Sequence, residues 1–166
     1  MSTPNRFGDT HVAGALSCES FTCPSGDLDG VVAEVAAGIK ATKLEHQHRA
    51  VYAQESETTA SDEIRVVHVV WGATGTVIAF EAGCVTDCDG SSTITVDLLL
   101  NGVSILTSKI TLAAGDGNRV VVAGTLSDTA LADGDVLEVA IDAVASGTDA
   151  LGLGVFCSLT LHEDAQ

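Results

Sequence analysis

Residues 93–106 read TITVDLLLNGVSIL, two apolar-rich runs joined by Asn101-Gly102. Polar and apolar residues alternate from Thr93 to Leu98, which predicts a β-strand with one buried face. Asn and Gly both tolerate the positive φ angles of a two-residue type I′ turn. The stretch therefore predicts an antiparallel β-hairpin whose second strand covers residues 103–106.

Short apolar runs separated by Gly, Asp and Asn turns continue on both sides of this hairpin. Alternation recurs in LEVAID, residues 137–142, while Asp116-Gly117-Asn118 and Asp133-Gly134-Asp135 are typical turns. We predict strands at residues 64–71, 76–82, 93–100, 103–106, 109–112, 119–123, 136–144 and 153–161. About eight strands over about 100 residues predict a mainly β fold with an antiparallel, jelly-roll-like β-sandwich head over residues 60–166.

The charge of the chain excludes some classes of partner. The 166 residues carry a net charge of −16, with 7 Lys+Arg against 23 Asp+Glu. Binding to DNA or RNA needs clustered cations, and an anionic membrane surface would repel this chain. No run approaches the roughly 18 apolar residues of a transmembrane helix. We therefore expect neither a nucleic-acid partner nor a membrane partner.

The N-terminal third differs in composition from the predicted head. Residues 1–30 are rich in Ser, Thr and Gly with scattered apolar residues, and we predict an extended N-terminal arm that orders against a partner. Residues 1–9 lack the apolar core of a secretory signal, so synthesis in the cytoplasm is expected. The scattered apolar residues of the arm are Phe7, Val12, Leu16 and Phe21.

Residues 31–54 predict a short helical or junction segment. Val32, Val35 and Ile39 fall at helical spacing, and Leu44 follows after one more turn. Gly38 weakens a continuous helix by about 1 kcal/mol relative to Ala, so a break is expected there. The apolar stripe is too small to be buried alone. It packs on the sandwich or serves as an oligomer contact.

His46 and His48 form the most distinctive local motif. On an extended strand, side chains at i and i+2 point to the same side. Two imidazoles bind a metal weakly, but three chains meeting on a threefold axis would bring six imidazoles together. Such a set could hold a first-row transition metal octahedrally. The alternative is a pair of ordinary surface residues, and no other cofactor is expected.

The cysteines and the acidic turns also admit structural explanations. Cys18 with Cys23, and Cys84 with Cys88, could each close a small disulfide loop. The odd total of 5 cysteines favours buried or free thiols instead, and neither spacing is that of a zinc knuckle. Asp87-Cys88-Asp89-Gly90 and Asp133-Gly134-Asp135 offer carboxylates for calcium. They lack the ligand spacing of an EF-hand loop, so we interpret both as turns.

No catalytic constellation is evident in the sequence, and we expect no enzymatic activity. There is no Gly-x-Ser-x-Gly and no phosphate-binding or dinucleotide-binding fingerprint. His68 lies within a predicted strand, where a structural role is expected. Glu81 and Asp97 are interpreted as polar members of alternating strands. Trp71, at a strand end, is interpreted as a core or interface anchor.

Two stretches resemble bacteriophage capsid decoration proteins and head-fibre-like virion proteins. Residues 38–48, GIKATKLEHQH, look like the junctions that precede globular heads in trimeric phage fibres, where His-x-His pairs also occur. Residues 96–106 with residues 131–139, LADGDVLEV, look similar to repeated patterns in phage structural proteins. The resemblance implies a homotrimer with an N-terminal attachment region and an outward-facing sandwich.

These observations lead to a non-enzymatic virion structural protein that decorates or projects from the capsid. In this hypothesis the arm attaches to the major capsid protein or another virion protein. The apolar stripe of residues 31–44 forms the threefold contact, and the protein resides on the capsid surface. The alternative is a receptor- or carbohydrate-binding module of a phage fibre or tail tip, with contact loops at residues 87–92 and 145–151. A hydrolase or lyase on the same scaffold is the least favoured hypothesis.

Overall fold

The computed structural model describes residues 45–71 and 74–164. All of these residues lie within the unit Lys40–Gln166. The predicted arm and the predicted oligomer contact therefore lie outside the described residues. The structure therefore tests neither set of predicted residues. The arm residues are Phe7, Val12, Leu16 and Phe21, and the oligomer-contact residues are Val32, Val35, Ile39 and Leu44.

The described residues are mainly β and form ten strands. No helix occurs among them, and accordingly none there is long and apolar enough to cross a membrane. The strands are β1 Glu45–Ala53, β2 Glu63–Val69, β3 Gly75–Thr86, β4 Thr93–Leu100, β5 Val103–Ser104, β6 Ile110–Ala113, β7 Val121–Ala123, β8 Ala130–Leu131, β9 Val136–Val144 and β10 Leu153–Asp164.

The strands form two antiparallel sheets. Sheet A has the order β1-β10-β3-β7, and β8 pairs with β3 beside β7. Sheet B has the order β2-β9-β4-β5, and β6 pairs with β4 beside β5. The chain crosses between the sheets several times, so that most neighbouring strands are distant in sequence, whereas β4 pairs with the next strand β5.

Both sheets contribute to one hydrophobic core. Alternate residues of β10 and β3 in sheet A are buried, as are alternate residues of β4 and β9 in sheet B. This period of two is the signature of a strand with one buried face. The predicted antiparallel β architecture is confirmed, with sandwich-like packing of two sheets. The largest fully buried side chains include Phe80, Ile94, Leu98, Leu112, Leu137, Leu159 and Leu161.

Strand β1 corrects the predicted boundary between junction and head. Residues 31–54 were assigned to a helical or junction segment, but Glu45–Ala53 is a β-strand paired along its whole length with β10. The alternation of β1 is hard to recognise because its inward positions carry His48, Ala50 and Tyr52, with few large apolar residues. An edge strand tolerates such residues because it is only partly covered.

Strand β2 contains a register shift between Val66 and His68. The shift inserts one residue, so Ile64 and Val66 before it and Val69 after it all face outward. Simple alternation would place Val66 and His68 on the same face. Trp71, just beyond the strand, is 87% exposed, so its interpretation as a core anchor is wrong. A role at an interface stays a prediction.

The predicted Asn101-Gly102 hairpin turn is confirmed. Both residues have positive φ angles, 51° and 81°, and the flanking Leu100 and Val103 are paired. The Asn101 side chain donates from Nδ2 to Asp135 Oδ1 at 2.7 Å and accepts from the Val136 N–H at 2.9 Å. Two predicted turns therefore hold each other at one end of sheet B.

Position 102 provides a direct test of this turn. A Cβ placed there would meet no atom within 4 Å, so a substitution changes the backbone preference without creating a clash. We expect Gly102→Val to lower the free energy of unfolding by about 1–2 kcal/mol, because β-branched residues resist positive φ. Gly102→Asn, which tolerates this conformation, is the control and should cost clearly less. Urea unfolding measures both, and equal stability of the two variants would contradict the assigned turn.

Candidate functional site

The richest cluster of polar side chains lies where the edge strands β1 and β2 face each other. Inward positions of these strands lie at the open margin between the two sheets, where water still reaches them. Polar residues are therefore accommodated there at low cost. We call this cluster the seam and define it as His48, Tyr52, Gln54, Ser61, Glu63, Arg65, His68 and Glu163.

One end of the seam contains two imidazoles around a single carboxylate. His68 Nε2 lies 2.6 Å from Glu163 Oε1, and His48 Nε2 lies 3.3 Å from Glu163 Oε2. The two ring centroids are 6.2 Å apart. Glu163 is only 14% exposed, against 22% for His68 and 47% for His48. One carboxylate of β10 thus joins β1 of its own sheet to β2 of the other sheet.

The other end of the seam is organised around Glu63. Its carboxylate accepts hydrogen bonds from Tyr52 Oη, from Arg65 Nε and, at 3.4 Å, from Gln54 Nε2. Gln54 Nε2 also donates to the Ser61 carbonyl at 2.9 Å. These residues line an open groove of about 440 Å³, which Ala53, Glu55 and Thr58 complete. The polar groups are thus held in place before any ligand arrives.

The groove raises the pKa of Tyr52 and lowers the pKa of Glu63. Burial, reinforced by the hydrogen bond and the negative charge of Glu63, raises the pKa of Tyr52 to about 12. Hydrogen bonds from Tyr52 and Arg65 lower the pKa of Glu63. At neutral pH the phenol is therefore a fixed donor and the carboxylate a fixed acceptor. Neither is poised to exchange a proton near neutrality, as a general acid or base requires.

Of the predicted pair His46 and His48, the structure describes the side chain of His48 alone. His48 contacts His68 and Glu163 within its own chain, and His46 pairs with Glu163 in backbone register. The side chain of His46 lies outside the described residues. Among the described residues, no group of three or more His, Cys, Asp or Glu side chains is arranged to hold a metal ion. A metal shared by three chains at His46 and His48 stays a prediction.

The acidic loops have the turn role that the sequence analysis assigned to them. Asp87 Oδ2 accepts hydrogen bonds from the N–H groups of Gly115 and Gly117, at 2.8 Å and 3.0 Å. Asp135 Oδ2 accepts from the Ala132 N–H at 2.7 Å, and this bond lowers the Asp135 pKa together with Asn101. These carboxylates stabilise turns, as Asp commonly does.

The two loops predicted as a contact surface are adjacent in space. The Ser91 N–H donates to Asp149 Oδ2 at 2.8 Å, and Ser92 Oγ donates to the Asp149 carbonyl at 2.9 Å. The Asp89 N–H also donates to the Ala150 carbonyl. Residues 87–92 and 145–151 therefore form one surface at one end of the head.

The described cysteines are free, buried thiols. Cys84, Cys88 and Cys157 form no disulfide, so the predicted alternative of a Cys84–Cys88 bridge is absent from the structure. Burial raises the pKa of Cys84 to about 12 and that of Cys157 to about 11. Because the thiolate is the reactive form, these thiols are chemically quiet at neutral pH. Cys18 and Cys23 lie outside the described residues.

Glu81 and Asp97 do not form a carboxylate pair. Glu81 lies on the outward side of sheet A, opposite Ser158, and Asp97 lies on the outward side of sheet B, opposite Ala140. The two sheets and the core separate them. Asp97 is buried and accepts a hydrogen bond from Ser104 Oγ at 2.7 Å. The interpretation of both as members of alternating strands is consistent with these positions.

The comparisons with known proteins identify no relative. No protein-family model matches the sequence, and no curated protein matches it significantly. A function must therefore be argued from the strand order, the seam and the distribution of charge.

The single tyrosine of the chain makes the groove directly measurable. We expect tyrosinate absorbance to appear with a midpoint near pH 12, because the folded state raises the Tyr52 pKa to about 12. Glu63→Gln should lower this midpoint, since it removes the nearby negative charge while burial persists. Circular dichroism over the same pH range verifies that the chain stays folded. A wild-type midpoint near 10, the ordinary tyrosine value, would contradict the described groove.

Proposed function

We propose that this chain is a non-enzymatic bacteriophage virion structural protein that decorates or projects from the capsid, with a jelly-roll head. The strand order is the observation that carries the proposal. When β5 with β6, and β7 with β8, are each counted as one interrupted strand, the sheets have the orders 1-8-3-6 and 2-7-4-5. This order is the one expected of a jelly roll, an architecture used by viral capsid and lectin domains, and it therefore supports the proposal.

The acidic residues and cysteines of the described head have structural environments, and this supports a structural role for the protein. Acidic residues of the loops bind turn backbone, the described cysteines are buried, and the groups at Glu63 are tied to one another. Function nevertheless belongs to sites and not to folds. The proposal therefore also depends on the sequence resemblance of residues 38–48 to fibre junctions.

The proposed assembly is a homotrimer anchored by its N-terminal region. Residues 1–30 attach to the major capsid protein or another virion protein, through Phe7, Val12, Leu16 and Phe21. Val32, Val35, Ile39 and Leu44 form the threefold contact, beside which His46 and His48 would share a metal. Bridging neighbouring capsid subunits buries apolar surface, at about 25 cal/mol per Å² before association costs. Repetition over many symmetric sites makes weak individual contacts sufficient.

Purified particles test this proposal. We expect the chain in gradient-purified virions, in many copies per particle and in multiples of three by quantitative mass spectrometry. A chain lacking residues 1–30 should keep the circular dichroism of the full chain but fail to bind particles stripped of the protein. Absence of the full chain from virions would overturn the assignment. Undiminished binding of the truncated chain would overturn the role of the arm alone.

The groove at Glu63 favours a second candidate function, a receptor- or carbohydrate-binding module of a fibre or tail tip. The groove presents a carboxylate, an amide, a guanidinium and a phenol within one opening of about 440 Å³. Sugar hydroxyls donate and accept at once, so they match such mixed groups. This location differs from the contact loops expected from the sequence, at residues 87–92 and 145–151.

A glycan array distinguishes this candidate from the first. If the groove binds a sugar, we expect Gln54→Ala and Arg65→Ala each to lower the signal about tenfold or more, as loss of a hydrogen-bonding group does. Lys109→Ala is the matched control, because Lys109 lines a second depression that shares Glu63 with the groove but contains neither Gln54 nor Arg65. No glycan bound by the full chain, or equal losses with all three variants, would exclude the groove as a sugar site.

A further inference from the structure

The outward positions of sheet A form a face four residues deep, with a register shift between its last two rows. The first row across the sheet is Ala53, Phe156, Gly83 and Val121, and it contains no polar side chain. The next rows are Val51-Ser158-Glu81-Ala123, Arg49-Thr160-Ala79 and Gln47-His162-Thr76-Ala130. We call these four rows the A face.

The A face is almost free of acidic residues in a chain whose net charge is −16. Glu81 is the one acidic residue in the four rows, and Arg49 balances it. The outward side of sheet B differs, because Glu138 and Asp142 lie on it and Asp97 is buried beneath that surface. Two copies of a strongly acidic chain repel each other through most surfaces. The four rows carry one acidic and one basic side chain, so repulsion between copies through them is small.

The A face also has the shape that close packing requires. Its central strands carry mainly small residues, and Gly83 allows the ring of Phe156 to lie flat against β3. A Cβ at position 83 would approach Phe156 Cζ to 2.8 Å and the Val120 carbonyl oxygen to 2.3 Å. Towards the two margins of the face, Val51 is 67% exposed and Val121 is 49% exposed. Apolar groups therefore flank a flat, weakly polar centre.

The two charges of the A face lie on opposite sides of its central strand β10. Arg49 belongs to β1 and donates from Nε to Ser158 Oγ at 2.8 Å, which orients its guanidinium along the face. Glu81 belongs to β3, and neighbouring strands lie about 4.8 Å apart. The face thus has a positive side at β1 and a negative side at β3, each with an exposed valine beside it.

We propose that the A face is the contact between copies of this chain, with the β1 side of one copy against the β3–β7 side of the next. Arg49 then meets Glu81 of the neighbouring copy, and the exposed Val51 and Val121 pack at the same contact. When the contact runs in one direction around the copies it is heterologous, and it forms a ring where the rotation closes, as in the proposed homotrimer. The inference rests on the proposed homotrimer and names the head surface that would complete it.

A second copy fits the A face better than an unrelated partner does. The β1 side of the face carries a positive charge and the β3 side a negative one. A second copy of the face necessarily offers the opposite charge to each side. A cationic partner would find more negative charge on the outward side of sheet B and at the acidic loops.

Charge reversal tests the contact. In a dilution series of the full chain followed by light scattering, we expect dissociation from an assembly of three times 16.8 kDa to one of 16.8 kDa. Arg49→Glu alone, and Glu81→Arg alone, should each raise the midpoint concentration of dissociation about tenfold or more, because like charges then face each other. The double variant R49E/E81R should restore the midpoint close to the wild-type value.

Two further variants keep the test decisive. Val51→Ser should weaken association without adding a charge beside Arg49 or Glu81, whereas Glu138→Arg on sheet B should leave the midpoint unchanged. Thermal unfolding by circular dichroism verifies that each variant is folded. A wild-type monomer at all concentrations, or no recovery in the double variant, would overturn the proposed contact. Self-association through the A face by a chain absent from virions would instead support the contact and refute the virion role.

Discussion

The rest of the structure depends on one dry core shared by two antiparallel sheets. Because side chains alternate across a strand, burying Leu159 or Leu98 fixes the direction of every neighbour along β10 and β4. The core is filled by Val, Leu, Ile and a single fully buried Phe, Phe80. Compact branched side chains let the sheets approach closely without large aromatic residues. The outward positions are left free to vary, and the features that distinguish this chain occur there and at the sheet margins.

The margins between the sheets show how burial and polarity are reconciled. At the centre of a sandwich an inward polar group would lose its water, but at β1 and β2 the inward positions are half covered. Glu163 and Glu63 each satisfy several donors from different strands, so the polar groups of the seam serve one another. The seam therefore joins the two sheets at an edge where backbone ladders cannot, since β1 and β2 belong to different sheets.

Local chemistry made much of the fold predictable, and non-local geometry accounts for the remainder. Asn101-Gly102 was predictable because a type I′ turn needs two adjacent residues that accept positive φ. Strand β1 was not, because its inward residues His48 and Ala50 are weak apolar signals whose burial depends on β10. The register shift in β2 reverses which face of the sheet the residues after Val66 point to. The alternation of polar and apolar residues does not reveal this shift. The seam was missed because its residues come from three strands that meet only after folding.

The distribution of negative charge has a structural cause that also limits where copies can meet. Many acidic residues are held at strand ends, where Asp87 and Asp135 accept the backbone N–H groups of turns. Their charge cannot be removed without loosening those turns, so the loop ends of the head stay anionic wherever the fold persists. Salt screens such exposed charges, with a Debye length of about 8 Å at physiological ionic strength, but does not make them attractive. If identical heads associate, the anionic loop ends disfavour contacts there and leave the strand faces, where side chains can vary freely because no turn depends on them.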